Sequence, residues 1–240
     1  MASHDFLRDI KIVQNENGYR FSVDAILLAS FVNIPRAKMI ADLGAGSGVI
    51  GLLLAREYPD ARISLVELQD TLAERAEENI ALNELQQRVK TVRADIKDIA
   101  SVESPLPHNS FDMVVSNPPF RKPKTGLISP EDERAVARHE LKLELKDLLE
   151  AASTLLKHHG RFFMIHLPER LVEILRFMER HALEPKRVRT VHSYLRTEAK
   201  MVLIEAAKGG RTGLKIENPL VIYNEDGSYT DEMKEIYRIS

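Results

Sequence analysis

The sequence lacks cysteine, long hydrophobic runs, internal repeats and low-complexity tracts. Without cysteine, a disulfide framework, a thiolate zinc site, an iron–sulfur cluster and a cysteine nucleophile are excluded. The longest apolar run, from Ala25 to Val32, is far too short to span a bilayer, and the first residues contain no signal-peptide core. We therefore expect a cytoplasmic protein that does not contact membranes.

The composition is that of a globular chain, since 44% of its 240 residues are hydrophobic and 29% are charged. We expect residues 1–36 to form a helix-containing extension packed on a core domain over residues 37–240, and a monomer fits these features. The net charge is +7 over residues 116–216 but −5 before and −4 after this segment. Such an excess can meet a polyanion such as RNA, although solvated lysines and arginines explain it equally well.

Short apolar runs typical of strands alternate with helical patterns along the chain. A helix capped by Ser22 is predicted from Val23 until Pro35. Strands are predicted over 38–43, 62–67, 89–94, 111–116, 162–166, 188–193 and 201–206, and helices over 49–57, 70–85, 141–158 and 169–181. The tail should add a strand and a helix over 231–237. This alternation predicts an α/β fold with a mostly parallel seven-stranded sheet, an antiparallel last strand, and helices on both faces.

Residues 42–48 read DLGAGSG and join the first core strand to a helix. Gly44, Gly46 and Gly48 permit a sharp turn and a close approach of a ligand at the positive end of the helix. Asp42 would repel the pyrophosphate of a dinucleotide by about 1 to 4 kcal/mol. The same carboxylate suits a ligand that carries an ammonium and a sulfonium group, as S-adenosylmethionine does. The alternative for Asp42 is a capping role at the following helix.

Three more polar residues, Glu67, Asp95 and Asn117, end successive predicted strands. The carboxyl ends of parallel strands meet at one edge of a sheet, so these side chains can converge on one crevice. Glu67 can accept both hydroxyls of a ribose, with Leu68 beside it. Asp95 can accept from the exocyclic amine of an adenine while Ile96 packs on the ring. Each acid alone is more often a solvated or capping residue, but the ordered set favours a common cofactor site.

The fourth predicted strand is followed by Asn117-Pro118-Pro119-Phe120. The Asn117 side chain and the Pro118 carbonyl offer two acceptors that could hold both hydrogens of a planar amino group. Such an amine is a poor nucleophile because its lone pair is delocalised, so positioning has to activate it. Phe120 offers a ring for a flipped base to stack on, worth about 1 to 3 kcal/mol. The alternative is a simple turn with Phe120 in the core.

These two motifs resemble the cofactor loop and the Asn-Pro-Pro-Phe motif of class I S-adenosylmethionine-dependent methyltransferases. The resemblance implies a Rossmann-like methyltransferase fold, S-adenosylmethionine as the cofactor, no metal, and catalytic roles for Asn117, Pro118 and Phe120. Residues 18–29 and 226–232 resemble the bacterial subfamily that methylates adenine N6 next to the anticodon of valine tRNA. The resemblance therefore implies a tRNA adenine-N6 methyltransferase.

Two basic clusters suit an RNA substrate. Arg121, Lys122 and Lys124 directly follow the Asn-Pro-Pro-Phe motif in a long predicted loop, and Lys186 and Arg187 form the second cluster. If both clusters face the crevice, they can hold phosphates around a protruding nucleotide. The alternative is that they are solvated surface loops.

Other functions remain open on the sequence. Guanine-N2 methylation of rRNA uses a similar geometry, and a protein glutamine-N5 methyltransferase could use the same two acceptors, although such enzymes prefer Tyr at the position of Phe120. A module that binds RNA without turnover is a third alternative, against which the intact Asn117 argues. The pair His139-Glu140 lacks the second His that a zinc protease helix carries, so we expect no metal site.

Overall fold

The computed structural model of this protein describes residues 2–15, 23–118 and 145–239. In these ranges the strands are β1 Ala2–Leu7, β2 Ile10–Asn15, β3 Met39–Leu43, β4 Arg62–Glu67, β5 Val89–Arg93, β6 Phe111–Ser116, β7 Leu156–His166, β8 Leu183–His192, β9 Ala199–Lys208, β10 Lys215–Ile216 and β11 Leu220–Val221. The helices are α1 Val23–Phe31, α2 Val49–Glu57, α3 Asp70–Leu82, α4 Leu145–Leu155, α5 Leu171–Arg180 and α6 Asp231–Tyr237. Within the described ranges, none of these helices combines the length and apolar character that a bilayer crossing needs.

Nine strands form one sheet in the order β10-β8-β9-β7-β6-β3-β4-β5, with β11 also paired to β8. Strand β9 runs antiparallel to its neighbours β7 and β8, and the other pairs in this sheet are parallel. The predicted α/β fold, with a mostly parallel sheet and an antiparallel last long strand, is confirmed. The sheet has nine strands rather than seven because the two-residue strands β10 and β11 also join it; β11 lies in the tail, where a strand was predicted, whereas β10 was not predicted.

The sheet is covered on both faces, which explains why its central strands are continuous apolar runs rather than alternating ones. In β6, Val114 and Val115 are both fully buried, and they point to opposite faces. Helices α1, α2, α3 and α6 cover the face of Val115, whereas α4 and α5 cover the face of Val114. The sheet is therefore rigidly held, and its carboxyl edge is a firm base for functional side chains.

The N-terminal segment contains a β-hairpin, β1–β2, that the sequence analysis did not predict. The hairpin is anchored by amide side chains of α3. Asn79 Oδ1 accepts from the Val13 amide at 2.8 Å, and Asn83 Oδ1 accepts from the Lys11 amide at 2.9 Å. Asn83 Nδ2 also donates to the Lys11 carbonyl at 2.7 Å. Two helix side chains thus take the place of a neighbouring strand along β2, and only the tertiary structure reveals this pairing.

The helix predicted over 141–158 ends earlier than expected, at Leu155, and residues 141–144 lie outside the described ranges. The chain passes directly into β7, where Leu156 pairs with Phe111 of β6. An irregularity in this pairing between Phe111 and Met113 absorbs the extra residues before the regular ladder resumes. Gly160 therefore lies inside a strand instead of ending a helix. The predicted end of the helix was wrong because the pairing of β7 with β6 is a long-range contact, which helical periodicity cannot indicate.

Candidate active site

The carboxyl ends of β3, β4, β5 and β6 lie side by side, because these strands are parallel neighbours in the sheet. Ser116 Oγ donates to the Leu43 carbonyl at 2.7 Å, which ties the end of β6 to the end of β3. The structure thus places four predicted residues at one edge, as expected for ligand sites of open α/β sheets. These residues are Asp42, Glu67, Asp95 and Asn117.

The glycine loop between β3 and α2 needs its glycines for two separate reasons. Gly44, Gly46 and Gly48 adopt φ angles of 73°, 56° and 85°, a region in which other residues are strained. At Gly51, in the first turn of α2, a Cβ would lie 2.2 Å from Leu65 Cδ2. A larger residue at this position would have to displace the buried Leu65 side chain, so glycine lets α2 pack closely onto β4. The loop is short and tight, and it holds the start of α2 against the edge of the sheet.

Asp42 is fully buried under this loop. Its Oδ2 accepts from the Gly51 amide at 3.1 Å, while its Oδ1 has no hydrogen-bond partner among the described residues. Burial raises the pKa of Asp42 to about 7, with a smaller contribution from the negative charge of Glu67. The capping alternative is thus realised by one oxygen only, while the other is a buried oxygen without a partner among the described residues.

Glu67 is buried at the end of β4 and fixes the backbone on both sides of the site. Its Oε2 accepts from the Gly46 amide at 2.8 Å, and its Oε1 accepts from the Gln69 amide at 2.9 Å. Each carboxylate oxygen can accept a second hydrogen bond, so these contacts leave capacity for a diol. The side chain is consequently pre-positioned before any ligand binds.

The third strand end combines a capping acid with apolar surface. Asp95 Oδ1 accepts from the Lys97 amide at 3.0 Å and caps the short 3-10 helix that follows β5. Ile96 is buried, and its Cδ1 would lie 3.9 Å from a Cβ at Gly44, so it faces the glycine loop. Leu68, directly after β4, is 39% exposed. Ile96 and Leu68 together offer apolar contacts for a planar ring.

Asn117 follows β6 directly, and Pro118 after it is buried. The Oδ1 atom of Asn117 is buried and has no hydrogen-bond partner among the described residues. Pro119 and Phe120, the rest of the motif, lie outside the described ranges. Asn117 Oδ1 is therefore an acceptor without a donor among the described residues, and it lies at the same edge of the sheet as Asp42.

Two orphaned oxygens, Asp42 Oδ1 and Asn117 Oδ1, thus lie at the ends of adjacent strands. Leaving a buried acceptor unpaired costs roughly 1 to 3 kcal/mol, so such a pair indicates ligands that supply donors or positive charge. The residues fit S-adenosylmethionine on this ground. Asp42 can face its cationic part and Glu67 its ribose, and Asp95 with Ile96 and Leu68 can hold its adenine.

Comparison with known proteins decides the family. Residues 21–181 match the model of the methyltransferase small domain. The chain belongs to this family. The sequence-based prediction of an S-adenosylmethionine-dependent methyltransferase is thereby confirmed. A crystal structure of a predicted O-methyltransferase from Agrobacterium tumefaciens has the same fold, with a TM-score of 0.74, 27% identity, and coverage of 90% of this chain and 96% of that one.

Curated relatives of this methyltransferase cover most of its length. A protein of Porphyromonas gingivalis is 32% identical over 219 residues, which are 89% of this chain and 85% of the relative. A protein of Aeromonas hydrophila is 30% identical, over 88% of this chain and 86% of the relative. Both are named tRNA1(Val) (adenine(37)-N6)-methyltransferase.

The affinity of the methyltransferase for S-adenosylmethionine should rise with pH up to about 7. The folded pKa of Asp42, about 7, exceeds the reference value of 3.8, so without ligand this carboxyl holds a proton that the unfolded chain releases. Its contribution to stability is therefore lost as pH rises from about 4 to 7. A bound cation favours the carboxylate, so binding should release a proton, and the affinity should change by up to about tenfold per pH unit below 7.

Calorimetry of cofactor binding between pH 5.5 and 8.5, in buffers of different ionisation enthalpy, measures this proton release. Asp42→Asn is the matched control, because it keeps the size of the side chain and removes the titration. If the unaltered methyltransferase and Asp42→Asn show the same pH dependence, Asp42 is not the titrating group.

The two predicted basic clusters of the methyltransferase have different outcomes. Arg121, Lys122 and Lys124 lie outside the described residues. Lys186 of β8 is half-buried, and its ammonium donates to the Arg211 carbonyl at the surface. Unlike Arg187, it bonds a carbonyl rather than a carboxylate, so this contact does not neutralise its charge.

The prediction for Arg187, the other residue of the second basic cluster, needs correction. Its guanidinium bonds Glu205 and also Glu217, the latter at 3.1 Å, and donates to the Phe31 carbonyl at 2.8 Å. The same group lies 4.2 Å from the centre of the Phe31 ring. The structure does not support the prediction that Arg187 binds phosphates, because two carboxylates neutralise its charge and three of its five N–H donors are occupied. Its role is to join β8, β9 and α1.

Replacing Arg187 with alanine should lower the free energy of unfolding by roughly 2 to 4 kcal/mol, because it leaves the buried Glu205 with one cation fewer. Thermal and urea unfolding measure this loss. The neighbouring residue supplies the control, since Lys186→Ala removes only a surface bond to a backbone carbonyl and should leave the midpoint nearly unchanged. Equal stability of the two variants would show that the Arg187 network is not structural.

A cavity of about 770 Å³ lies away from the strand-end site. It is lined by the end of α1, the end of α2, residues before β3 and the end of α6, which place it at the amino-terminal edge of the sheet. It is therefore not the site of methyl transfer. Over the described residues, no group of three or more His, Asp or Glu side chains is arranged to hold a metal ion.

Three residues that position the methyltransferase site were missed by sequence reasoning. Ser116 ties β6 to β3, and Gly51 lets α2 pack against β4. Asn79 Nδ2 donates to the Ser47 carbonyl at 3.0 Å, which links the glycine loop to the helix that holds the N-terminal hairpin. The spacing of glycines 46, 48 and 51 was a signal for Gly51, whereas nothing in the sequence indicated the role of Asn79.

Proposed function

We propose that this protein methylates the exocyclic N6 of an adenine in tRNA, the anticodon-adjacent adenine of valine tRNA, with S-adenosylmethionine as the methyl donor. The observation that carries the proposal is the buried, unpartnered Oδ1 of Asn117 at the edge that also holds Asp42. The printed names of the relatives in Porphyromonas gingivalis and Aeromonas hydrophila support the choice of substrate. Such a protein works in the cytoplasm, where tRNA is found.

The chain would hold the cofactor with residues of three strand ends. Asp42 faces the positively charged part, Glu67 accepts from the ribose hydroxyls, and Asp95 accepts from the adenine amine beside Ile96 and Leu68. Gly44, Gly46 and Gly48 let the backbone approach closely. When bound, S-adenosylmethionine supplies an electrophilic methyl group on a sulfonium. We assign the methyltransferase domain to residues 37–240, with residues 1–36 as an extension packed on it.

The chain would hold the target amine with two acceptors. Asn117 Oδ1 and the Pro118 carbonyl each accept one amine hydrogen, which turns the nitrogen lone pair toward the methyl group. Strand β6 fixes Asn117, and Ser116 fixes the end of β6 against β3. Phe120 would stack on the target base. The amine nitrogen would gain the methyl group as the carbon–sulfur bond of the donor breaks, which leaves S-adenosylhomocysteine, and one amine proton would leave to solvent.

The RNA backbone would be held by positive charge. Arg121, Lys122 and Lys124 directly follow the Asn-Pro-Pro-Phe motif in the sequence, and Lys186 is a half-buried base on β8 whose ammonium lies at the surface. Contacts of this kind position RNA without reading its sequence, and salt weakens them. We leave Arg187 out of this set because of its two carboxylate partners.

The same two acceptors could serve guanine N2 in rRNA or a protein glutamine, so the test has to identify the product. Nucleoside mass spectrometry of tRNA and rRNA from cells with and without the gene measures it. We expect N6-methyladenosine to disappear from valine tRNA alone, and purified protein with S-adenosylmethionine should restore it on that tRNA. Loss of N2-methylguanosine from rRNA, or an unchanged nucleoside profile in both RNAs, would contradict the proposal.

A further inference from the structure

Four tyrosine rings form a continuous stack beyond the end of β8. The ring centres of Tyr237 and Tyr229 are 5.2 Å apart, those of Tyr229 and Tyr223 are 5.4 Å apart, and those of Tyr223 and Tyr194 are 5.7 Å apart. The first two pairs are nearly parallel, at 22° and 11°. The stack starts on α6 and ends at Tyr194, which is 41% exposed. Among the described residues, Tyr194 is the one aromatic side chain with such exposure.

The segment 226–232, which the sequence analysis connected to a tRNA-modifying subfamily, builds the middle of this stack. Asp226 Oδ1 accepts from the Ser228 amide at 2.9 Å and from its hydroxyl at 2.6 Å, and Gly227 turns the chain with a φ of 85°. This turn brings Tyr223 and Tyr229 into an antiparallel bridge, so that their rings stack. The motif therefore supports the tyrosines and takes no part in the cofactor site.

The turn that carries Tyr194 is held equally firmly. Thr197 donates to the Tyr194 carbonyl through its amide at 3.0 Å and through its hydroxyl at 2.7 Å. His192 Nδ1 donates to the Thr197 carbonyl at 2.7 Å. An exposed aromatic ring in a fixed turn loses little conformational entropy when it binds a partner. The ring is thus both accessible and pre-positioned.

This turn lies at the same edge of the sheet as the candidate active site, because it joins the carboxyl end of β8 to β9, and β8 is parallel to β6. Three strand spacings separate β8 from β6, which is ~14 Å. A nucleotide near the target base in a single-stranded loop can cover such a distance. The position therefore suits contact with the substrate of the neighbouring site.

The chemistry of the turn suits RNA more than an apolar partner. Leu195 is 70% exposed beside Tyr194, and Arg196 and Lys200 are exposed cations on the same turn and the start of β9, with one exposed acid, Glu198, between them. In proteins that bind single-stranded nucleic acid, an aromatic ring commonly stacks on an unpaired base while neighbouring cations attract the phosphates of the strand.

We infer that Tyr194, supported by Tyr223 and Tyr229, is a stacking platform for an unpaired base that neighbours the methylated adenine in the RNA. The inference rests on the proposed function, since it needs an RNA substrate at the strand-end site. The platform binds substrate and takes no part in methyl transfer. Its loss should therefore raise KM for RNA and leave kcat and cofactor affinity close to those of the unaltered protein.

Steady-state methylation of an unmodified valine tRNA transcript by Tyr194→Ala, Tyr194→Phe and Tyr194→Leu tests the platform. Tyr194→Ala should raise KM at least about fivefold, the ratio that corresponds to about 1 kcal/mol of base stacking. Tyr194→Leu should behave like Tyr194→Ala, because it keeps apolar bulk without a ring, and Tyr194→Phe should behave like the unaltered protein. Leu214→Ala, at another exposed apolar residue, is the control.

Thermal unfolding and calorimetry with S-adenosylhomocysteine, run on the same variants, separate a folding defect from a binding defect. Suppose that the unaltered protein methylates the transcript and that Tyr194→Ala has the same KM. This result would contradict the stacking role of Tyr194 but not the proposed function. An unaltered protein that does not methylate the transcript would overturn both. A higher KM for Tyr194→Phe as well would show that the hydroxyl, and not stacking, makes the contact.

Discussion

Replacing Asn117 with alanine should slow methyl transfer by about 100- to 1,000-fold, the usual effect of losing one pre-positioned hydrogen-bonding group at a reacting centre. The reason is that the amine would keep only the Pro118 carbonyl as an acceptor, and its lone pair would no longer be aligned with the methyl group. The cofactor contacts of Asp42 and Glu67 are made by other strands, so the affinity for S-adenosylmethionine should remain close to that of the unaltered protein.

Single-turnover transfer of a labelled methyl group to valine tRNA measures the rate, and calorimetry with S-adenosylhomocysteine measures cofactor affinity. Asn218→Ala is the matched control, because Asn218 is exposed between β10 and β11, away from the strand ends. An unchanged rate in Asn117→Ala would remove Asn117 from the mechanism. A parallel fall in cofactor affinity and thermal stability would instead assign it a structural role.

Replacing Glu67 with alanine should weaken S-adenosylmethionine binding by roughly 1 to 3 kcal/mol, which is about 5- to 150-fold. Two causes act together. The proposed acceptor of the ribose hydroxyls is removed, and the Gly46 amide loses the partner that now holds it at 2.8 Å, so the glycine loop is less well fixed. The expected result is therefore weaker binding and little change in the rate once the cofactor is saturating.

The control for Glu67→Ala is Glu77→Ala, since Glu77 is an exposed acid of α3 whose carboxylate bonds Arg93 at 3.2 Å. Calorimetry with S-adenosylmethionine, and the transfer rate at saturating cofactor, are measured for both variants. Equal affinities would contradict the ribose assignment. A loss of rate at saturating cofactor would indicate that Glu67 also positions the methyl group.

The elements that carry the site could be predicted because their sequence signals are local. Helices over 49–57 and 231–237 and strands over 62–67 and 111–116 have the predicted bounds. A buried parallel strand is read from its run of apolar residues, and a strand end is read from the polar residue that follows it. For this reason Asp42, Glu67, Asp95 and Asn117 could be placed at strand ends without a structure.

The partners of the charged side chains could not be predicted in the same way. Lys186 and Arg187 are neighbours in the sequence and formed a single basic cluster there, but their partners differ: Lys186 bonds the Arg211 carbonyl, whereas Arg187 bonds two carboxylates. Glu205 lies on β9 and Glu217 directly follows β10, and sequence alone does not show that these two side chains meet Arg187.

The sequence by itself determined the fold class, the succession of the site-bearing strands along the chain, and the chemistry of their ends. Each of these follows from residues that are adjacent along the chain. The tertiary structure alone decided that α3 holds the N-terminal hairpin, that Arg187 is structural, and that segment 226–232 supports a tyrosine stack ending at Tyr194. These features depend on contacts between distant segments, and the free energy of such contacts depends on where the folded sheet places them rather than on local propensity.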